Sequence, residues 1–386
     1  MILRKVVRKI IYIINFIIPK NKKYIFLRSS IPFRDNIEAL LDCMISNKIH
    51  TKYKIICSPK DTDKFDIYKN VRGIIVSDRG YLTSLWYFFR SKYVILDNGL
   101  FTNPKPVKKQ TIVNVWHGVS FKKIGFYQET EKSYRTATYA VTYSDLFAEK
   151  ISYAFGVPFE DVLQTGEPRN DYLFKPLDKE TLKKLGMLKN GNEKIIFWMP
   201  TYRQSKFENV DDGKKYEFGI PLLTYDRLSE LNSICKAANV ILTIKWHSLQ
   251  QLPDNMDIDL SNIVFLTSEQ VTALNEPLYS ILANADALIT DYSSVYINFM
   301  VLDRPICFAY DDLDYYKNNR GFMFDDIERL MPGKKTNDLE GLYSFIQDVS
   351  IGNDPYKEER ASMKLILNRH NDCHNCERLL HRLGLL

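Results

Sequence analysis

Cysteine is scarce in this chain of 386 residues, and its six copies do not form the pattern of a disulfide framework. They are scattered along the sequence, and Cys57 and Cys307 sit inside apolar runs, which predicts buried thiols in a reducing compartment. The chain also lacks an internal repeat and a low-complexity tract, so nothing indicates a repeat architecture. Its length suits two globular domains of about 150–200 residues each.

Acidic residues are absent from residues 1–23, which hold seven basic residues. The whole chain has a net charge of +6, so the remaining residues together carry −1. A protein that binds nucleic acid along its body is basic along its body. This distribution favours a membrane surface as a partner and argues against a nucleic acid. The basic residues of the tip are Arg4, Lys5, Arg8, Lys9, Lys20, Lys22 and Lys23.

No long hydrophobic run accompanies this basic tip. The apolar stretch 10–18 is too short to span a membrane, because a transmembrane helix needs about 20 residues. The small residues of a signal-peptide cleavage site are missing as well, since Pro-Lys-Asn-Lys-Lys follows at 19–23. On a helix, the apolar residues fall at spacings of three and four, which predicts an amphipathic helix over 1–20 in the membrane interface. An N-terminal helix docked on the protein's own core is the alternative.

Beyond the tip, short β-branched runs alternate with helical patterns, which is typical of parallel sheets covered by helices. A polar segment over 175–193 predicts a linker, so we expect an N-terminal domain over 21–175, a C-terminal domain over 190–368 and a terminal helix over 369–386. Two facing doubly wound domains form a cleft with ligands at the carboxyl ends of the strands. The predicted strands are 24–28, 53–57, 73–77, 92–96, 112–116, 139–143, 194–199, 240–246, 262–266, 285–290 and 305–309. The predicted helices are 35–47, 81–90, 145–154, 223–237, 276–283, 292–301, 338–348, 354–368 and 373–384.

A local group of His370, Cys373, His374 and Cys376 has the residue types of a zinc site. The four residues crowd into a short segment and no second ligand pair exists, so the start of a C-terminal helix is the favoured interpretation. The sequence therefore predicts no metal ligands.

Two histidines follow predicted strands, one in each half of the chain. His117 follows Trp116 and precedes Gly118, with Lys122 and Lys123 close behind. A histidine at a strand end suits a general base near neutral pH, and the lysines suit phosphate oxygens. A structural hydrogen-bonding role is the alternative for a lone histidine.

The second histidine, His247, directly follows the predicted strand over 240–246, in the run Ile-Leu-Thr-Ile-Lys245-Trp-His. Another strand end, Pro-Thr201-Tyr-Arg203, offers a guanidinium for a forked phosphate contact. For Arg203 alone, a surface position is the alternative.

The motif Thr290-Asp291-Tyr-Ser293-Ser294 joins a predicted strand to a predicted helix. Helix N-termini attract anions, so these hydroxyls and amides suit a diphosphate. An ordinary capped helix is the alternative interpretation.

Taken in order, these motifs resemble the CDP-glycerol:poly(glycerophosphate) glycerophosphotransferase family, of the teichoic acid primase and polymerase type. The resemblance runs from about residue 110 to the C-terminus and is carried by several ordered motifs. These are Trp116-His117-Gly118, Lys122-Lys123-Ile-Gly, Thr-Gly-Glu-Pro-Arg169-Asn170-Asp, Pro-Thr201-Tyr-Arg203, Lys245-Trp-His247, Thr290-Asp291-Tyr-Ser293-Ser294, Arg304-Pro305 and the segment from Tyr310 through Arg320 to Gly333.

The resemblance implies two Rossmann-like domains of the glycosyltransferase B type, with an acceptor-side N-terminal domain and a C-terminal domain that binds the CDP-polyol. It implies transfer of glycerol phosphate from CDP-glycerol to a hydroxyl of a lipid-linked or polymer acceptor, with release of CMP, at the cytoplasmic face of the cell membrane. No cofactor is implied. His117 and His247 are the implied catalytic residues: His117 is the base, while His247 and Arg203 hold the diphosphate. The implied substrate-binding residues are Trp116, Gly118, Lys122, Lys123, Arg169, Asn170, Thr201, Arg203, Lys245, Thr290, Asp291, Ser293, Ser294 and Arg320.

Three alternatives stay open at this point. The polyol could be ribitol, supplied as CDP-ribitol. A nucleotide-sugar glycosyltransferase of the same architecture would release a nucleoside diphosphate instead of CMP. A membrane-bound scaffold subunit would bind a polymer without turnover.

Overall fold

The computed structural model describes residues 2–30, 35–59, 63–77, 80–98, 103–128, 134–201, 214, 216–246 and 259–386. The chain divides into two units. The first comprises Met1–Val119, Ile124–Phe174 and Asp372–Leu386, and the second comprises Ser120–Lys123 and Lys175–Asn371. The C-terminal segment therefore belongs to the first unit, although it follows the second in sequence.

A parallel sheet forms the centre of the first unit. Its strands are β1 (Asn21–Ser29), β2 (Lys54–Pro59), β3 (Ile74–Val76), β4 (Ser91–Leu96), β5 (Thr111–Asn114), β6 (Tyr139–Val141) and β7 (Val162–Leu163). Their order in the sheet is β3-β2-β1-β4-β5-β6-β7, and every pair is parallel. The helices of this part of the chain are α1 (Ile2–Ile17), α2 (Asn36–Ser46), α3 (Ile49–Lys52), α4 (Gly80–Arg90) and α5 (Asp145–Phe155).

The second unit is built on another parallel sheet. Its strands are β8 (Lys194–Met199), β9 (Val240–Lys245), β10 (Ile263–Leu266), β11 (Ala287–Thr290), β12 (Ile306–Ala309) and β13 (Lys334–Thr336). Their order is β10-β9-β8-β11-β12-β13, again all parallel. The helices are α6 (Lys179–Lys184), α7 (Tyr225–Ala237), α8 (Ser268–Leu274), α9 (Leu278–Leu282), α10 (Val295–Phe299), α11 (Leu313–Asn319), α12 (Leu339–Ser350) and α13 (Lys357–Leu367), and α14 (Asn375–Arg382) returns to the first unit.

The predicted α/β fold with parallel sheets is confirmed, and the burial of the strands explains why the sequence signals it so clearly. Ile25, Phe26 and Leu27 of β1 are all fully buried, as are Phe197 and Trp198 of β8. Parallel strands covered on both faces need continuous apolar runs, and these are the runs that the sequence contains.

Two short strands, β7 and β13, were not predicted. Both lie at the edge of their sheet, β7 has two residues, and β13 reads Lys-Lys-Thr. A strand of two residues and a polar strand of three both leave no apolar run to detect, and edge strands are often this short.

Each sheet has one place where the strand order reverses direction. In the first unit this switch lies between β1 and β4, and in the second between β8 and β11. Neighbouring connections diverge there, which leaves a crevice at the carboxyl ends of the two strands where ligands bind in open α/β sheets. The residues just after these four strands are therefore the first candidates for a ligand site in each unit.

Helix α1 rests on the first unit through a narrow face. The buried Asn15 amide donates to Gln110 over 2.8 Å, Ile11 is buried, and the Lys20 ammonium donates to the Phe89 carbonyl over 2.6 Å. A separate apolar stripe stays exposed, at spacings of three and four. It consists of Leu3, Val6, Ile10, Ile13, Ile14 and Ile17. Among the helices described, none is long and apolar enough to cross a bilayer.

Candidate active site

The loop after β5 holds His117 in a specific backbone conformation. Trp116 has a left-handed φ of +51° and Gly118 a φ of +117°, a region that glycine tolerates and tryptophan rarely adopts. The Trp116 amide donates to the side chain of Asn114 over 2.9 Å, and the Asn36 amide donates to the Trp116 carbonyl over 3.0 Å. The indole then stacks on the imidazole of His117 with ring centroids 3.9 Å apart. The neighbouring residues thus fix the orientation of this histidine.

His117 has one nitrogen engaged by the backbone. Its Nδ1 lies 3.2 Å from the carbonyl oxygen of Asp97, and because a carbonyl can only accept, Nδ1 carries the proton in this bond. Nε2 then keeps its lone pair. Burial lowers the pKa of His117 from its ordinary 6.5, against smaller opposing effects of the Asp97 carbonyl and Asp35. The ring is therefore neutral at neutral pH, as a general base must be.

Arg169 lies behind this loop in a buried ionic network. Its guanidinium donates to Asp35 over 3.1 and 3.0 Å and to Glu167 over 2.9 Å. The other carboxylate oxygen of Glu167 accepts from the Val119 amide over 3.0 Å. The Arg169 amide donates to Asn36, the residue that also holds the Trp116 carbonyl. Arg169 thus connects α2 to the histidine loop, and its side chain is 8% exposed.

The rest of the Thr-Gly-Glu-Pro-Arg-Asn-Asp motif anchors the C-terminal helix. Asn170 is 1% exposed, and Asp171 accepts from the backbone amides of Asn375 and Cys376, each over 2.9 Å. Gly166 has a φ of +76°, and a Cβ there would lie 2.0 Å from the Asn375 side-chain oxygen, so this position requires glycine. These contacts give this part of the motif a structural role, which is to attach the C-terminal helix to the first unit.

The zinc alternative for the segment around Cys376 finds no support in the described residues. Cys376 is buried and its thiol donates to the Pro168 carbonyl, whereas Cys373 is exposed and His374 pairs with Glu377 over 2.9 Å. Over the described ranges, no group of three or more His, Cys, Asp or Glu residues could hold a metal ion.

At the switch point of the first unit, Asp97 follows β4 and Ser30 follows β1. The Ser30 amide and hydroxyl donate to the Asp97 carboxylate over 3.0 and 2.7 Å. Burial raises the pKa of Asp97 to about 6, against the hydrogen bonds from Ser30, and burial raises the pKa of the nearby Glu38 well above its usual value. No sequence motif pointed to Asp97 or Ser30 as site residues. Their positions directly after adjacent predicted strands, 24–28 and 92–96, were the available signal.

The switch point of the second unit repeats this pairing. Asp291, which follows β11 and is fully buried, accepts from the Thr201 hydroxyl over 2.6 Å and from the Thr201 amide over 2.9 Å. It also accepts from the Ser293 amide over 3.2 Å, while the Thr290 hydroxyl donates to the Met199 carbonyl over 2.7 Å. The Ser293 amide is therefore already engaged, which leaves its hydroxyl as the group that can face a ligand.

Lys122 lies next to this switch point, and Arg320 contacts the backbone of the neighbouring Lys123. The segment Ser120–Lys123 belongs to the second unit, where the Lys122 ammonium lies 3.2 Å from the Thr201 hydroxyl and 5.7 Å from the centre of the Tyr316 ring. Arg320 donates to the Lys123 carbonyl over 2.8 Å. The structure thus brings Lys122, Thr201 and Asp291 together, with Ser293 beside them.

Lys245 ends β9, the strand next to β8. Its ammonium donates to the Trp246 carbonyl over 2.9 Å and to the Ser268 hydroxyl over 3.2 Å. Burial lowers the pKa of Lys245 to about 8, against the opposing charge of Glu269. Two predicted site residues, His247 and Arg203, lie outside the described residues.

Comparison with known proteins gives a consistent result. The family described as CDP-Glycerol:Poly(glycerophosphate) glycerophosphotransferase matches residues 10–384. A teichoic acid poly(glycerol phosphate) polymerase of Bacillus spizizenii is 29% identical over 366 residues, covering 87% of this chain and 86% of the relative. A teichoic acid glycerol-phosphate primase of Bacillus subtilis is 27% identical over 337 residues, covering 82% of each chain.

A solved structure of similar fold is that of the wall teichoic acid polymerase TagF. It superposes with a TM-score of 0.69 at 19% identity, covering 99% of this chain and 93% of that one. At this identity the likeness supports the fold.

Proposed function

Because the chain belongs to the CDP-glycerol:poly(glycerophosphate) glycerophosphotransferase family, we propose that it transfers glycerol phosphate from CDP-glycerol to an acceptor hydroxyl and releases CMP. The observation that carries this proposal is the match over residues 10–384, which includes the strand-end residues of both units. The product is a teichoic acid or a similar polymer, as the names of the polymerase and primase relatives suggest.

In the proposed step, the acceptor hydroxyl oxygen attacks the β-phosphorus of CDP-glycerol. The bond between this phosphorus and the bridging oxygen breaks, and CMP leaves with that oxygen. The hydroxyl proton passes to Nε2 of His117. Three features support this role: Nδ1 is held by the Asp97 carbonyl, the pKa of the ring is lowered by burial, and its orientation is fixed by Trp116.

The donor's phosphates are assigned to the residues at the carboxyl ends of β8, β9 and β11. Lys122 and Lys245 supply positive charge, and the half-exposed Ser293 and Ser294 supply hydroxyls that bond to no described residue. His247 and Arg203 keep their proposed diphosphate role from the family resemblance. We assign Arg169 to positioning rather than to substrate contact, because Asp35 and Glu167 engage its guanidinium.

The acceptor is proposed to be lipid-linked and to be met at the cytoplasmic face of the membrane. The exposed apolar stripe of α1 supports this assignment, and Lys5 and Lys9 are exposed beside it. A helix of this kind lies in the interface, where each basic residue near anionic lipid contributes about 1 kcal/mol. One face of α1 docks on the protein, and the exposed apolar face supports the proposed membrane contact.

The test is a donor screen with the purified full-length chain and a lipid-linked acceptor. CDP-glycerol, CDP-ribitol and UDP-sugars are offered separately, and the released nucleotide and the product length are measured. The proposal expects CMP from CDP-glycerol. UDP release from a sugar donor, or binding without turnover, would overturn it, while preference for CDP-ribitol would reassign the polyol. Product length separates the addition of one unit from polymerisation.

A further inference from the structure

The first unit contains a cavity of about 190 Å³ beside the histidine loop. It lies at the carboxyl ends of β4 and β5, where Asn98 and Asn114 reach its wall. Trp116, Phe126 and Tyr134 supply aromatic surface. All of its described lining residues belong to the first unit.

The lining indicates the chemistry of a ligand. Across the described part of the chain, the residues that line the cavity are all uncharged at neutral pH. None of these described lining residues offers a cation to a phosphate, and burying an unpaired charge is costly. Aromatic faces offer large apolar contact, while side-chain amides such as that of Asn98 both donate and accept hydrogen bonds. This combination fits a neutral group with many hydroxyls, either a polyol or a sugar ring.

The position of the cavity relates it to the acceptor. Trp116 forms part of the cavity wall and also stacks on His117. A group bound in the cavity would therefore contact the same indole that contacts the proposed base. Outside the lining itself, the guanidinium of Arg8 on α1 lies 4.4 Å from the centre of the ring of Tyr134, a lining residue. The cavity is therefore adjacent both to the proposed base and to the helix with the exposed apolar stripe.

We propose that this cavity binds the neutral polyol or sugar unit of the acceptor that lies next to its attacking hydroxyl. The inference rests on the proposed function, because it takes the acceptor to be the partner of His117. The glycerol group of the donor is not assigned to this cavity.

The test uses a larger side chain to fill the cavity, introduced at a wall residue that has no proposed catalytic role. Ala137→Met adds volume at a buried lining position, and Asn98→Ala removes the amide of an exposed lining residue. The exposed Asn192 of the second unit provides a matched control, Asn192→Ala. Kinetics use CDP-glycerol and a detergent-dispersed, lipid-linked glycerol phosphate oligomer.

The expected result is an acceptor KM raised about tenfold in Ala137→Met, a loss of about 1.4 kcal/mol, while the CDP-glycerol KM stays within about twofold. Asn98→Ala should shift the acceptor KM in the same direction, and Asn192→Ala should match the wild type. A rise in the donor KM instead would overturn the inference, as would unchanged kinetics in folded variants. If Ala137→Met does not fold, the result for Asn98→Ala decides.

A binding measurement separates this inference from the proposed function. Saturation-transfer NMR with glycerol and methyl β-D-glucopyranoside reports contact without catalysis. If the wild type released no CMP, the proposed function would fail. Loss of the transfer signal in Ala137→Met or Asn98→Ala would still support the cavity as a polyol or sugar site. An unchanged signal in both variants would overturn it.

Discussion

The Nδ1 atom of His117 lies 3.2 Å from the backbone carbonyl of Asp97, the residue that follows β4 at the switch point of its sheet. A backbone partner fixes the tautomer without adding a negative charge next to the ring. The pKa of His117 is therefore governed mainly by burial, which lowers it from 6.5.

This relationship predicts the acid side of the pH profile. The base is active when neutral, so kcat/KM should fall only as the pH drops through the lowered pKa of His117, below 6.5. The measurement is CMP release between pH 5 and pH 8 with saturating acceptor. An acid limb centred above pH 7 would contradict the assignment, because it would require a raised pKa.

Arg169 should act on stability more than on donor binding. Arg169→Met leaves Asp35 and Glu167 as buried carboxylates without their cation, which costs about 3–5 kcal/mol. Urea unfolding measures the loss. Arg227→Met, which breaks an exposed pair with Glu230 on α7, is the control and should leave the midpoint unchanged. Normal stability with a raised CDP-glycerol KM would instead restore a substrate-binding role for Arg169.

Lys245 should make donor binding sensitive to alkaline pH. Its pKa is lowered to about 8, so its ammonium loses its charge as the pH rises through that value. The KM for CDP-glycerol is then expected to rise above pH 8. In Lys245→Arg the charge persists, because a guanidinium stays protonated, and the KM should remain flat from pH 7 to pH 9. The same alkaline rise in both proteins would exclude Lys245 as its cause.

The exposed stripe of α1 should control membrane association. Ile10→Ser combined with Ile14→Ser removes apolar surface from positions 50% and 38% exposed, and leaves the docking contact of Asn15 in place. Sedimentation with anionic lipid vesicles should fall several-fold, because interfacial binding scales with buried apolar area. The control is Leu365→Ser on α13, at a position 70% exposed. Equal sedimentation of all three proteins would argue against the stripe as a membrane contact.

The sequence predicted the parallel sheets because buried strands such as β1 and β8 are continuous apolar runs. It also placed His117 and Asp291 at strand ends, which is where the structure has them. The buried strands and the strand-end positions of these residues are both specified by local sequence patterns.

The contacts that depend on distant residues could not be predicted in this way. Arg169 meets Asp35 across 134 positions, and Asp171 meets Asn375 across 204, so neither pairing has a local signal. The resemblance implied a substrate-binding role for Arg169, whereas in the structure its guanidinium pairs with the carboxylates of Asp35 and Glu167. The roles of His247 and Arg203 stay predictions from the resemblance.

The most direct test of His117 as the general base is CMP release by His117→Gln, which keeps a polar side chain but cannot accept the proton. We predict a fall of about 10²–10⁴-fold in acceptor-dependent turnover, with the melting temperature and the CDP-glycerol KM unchanged. Turnover close to that of the wild type in the folded variant would contradict the role of His117 as the general base.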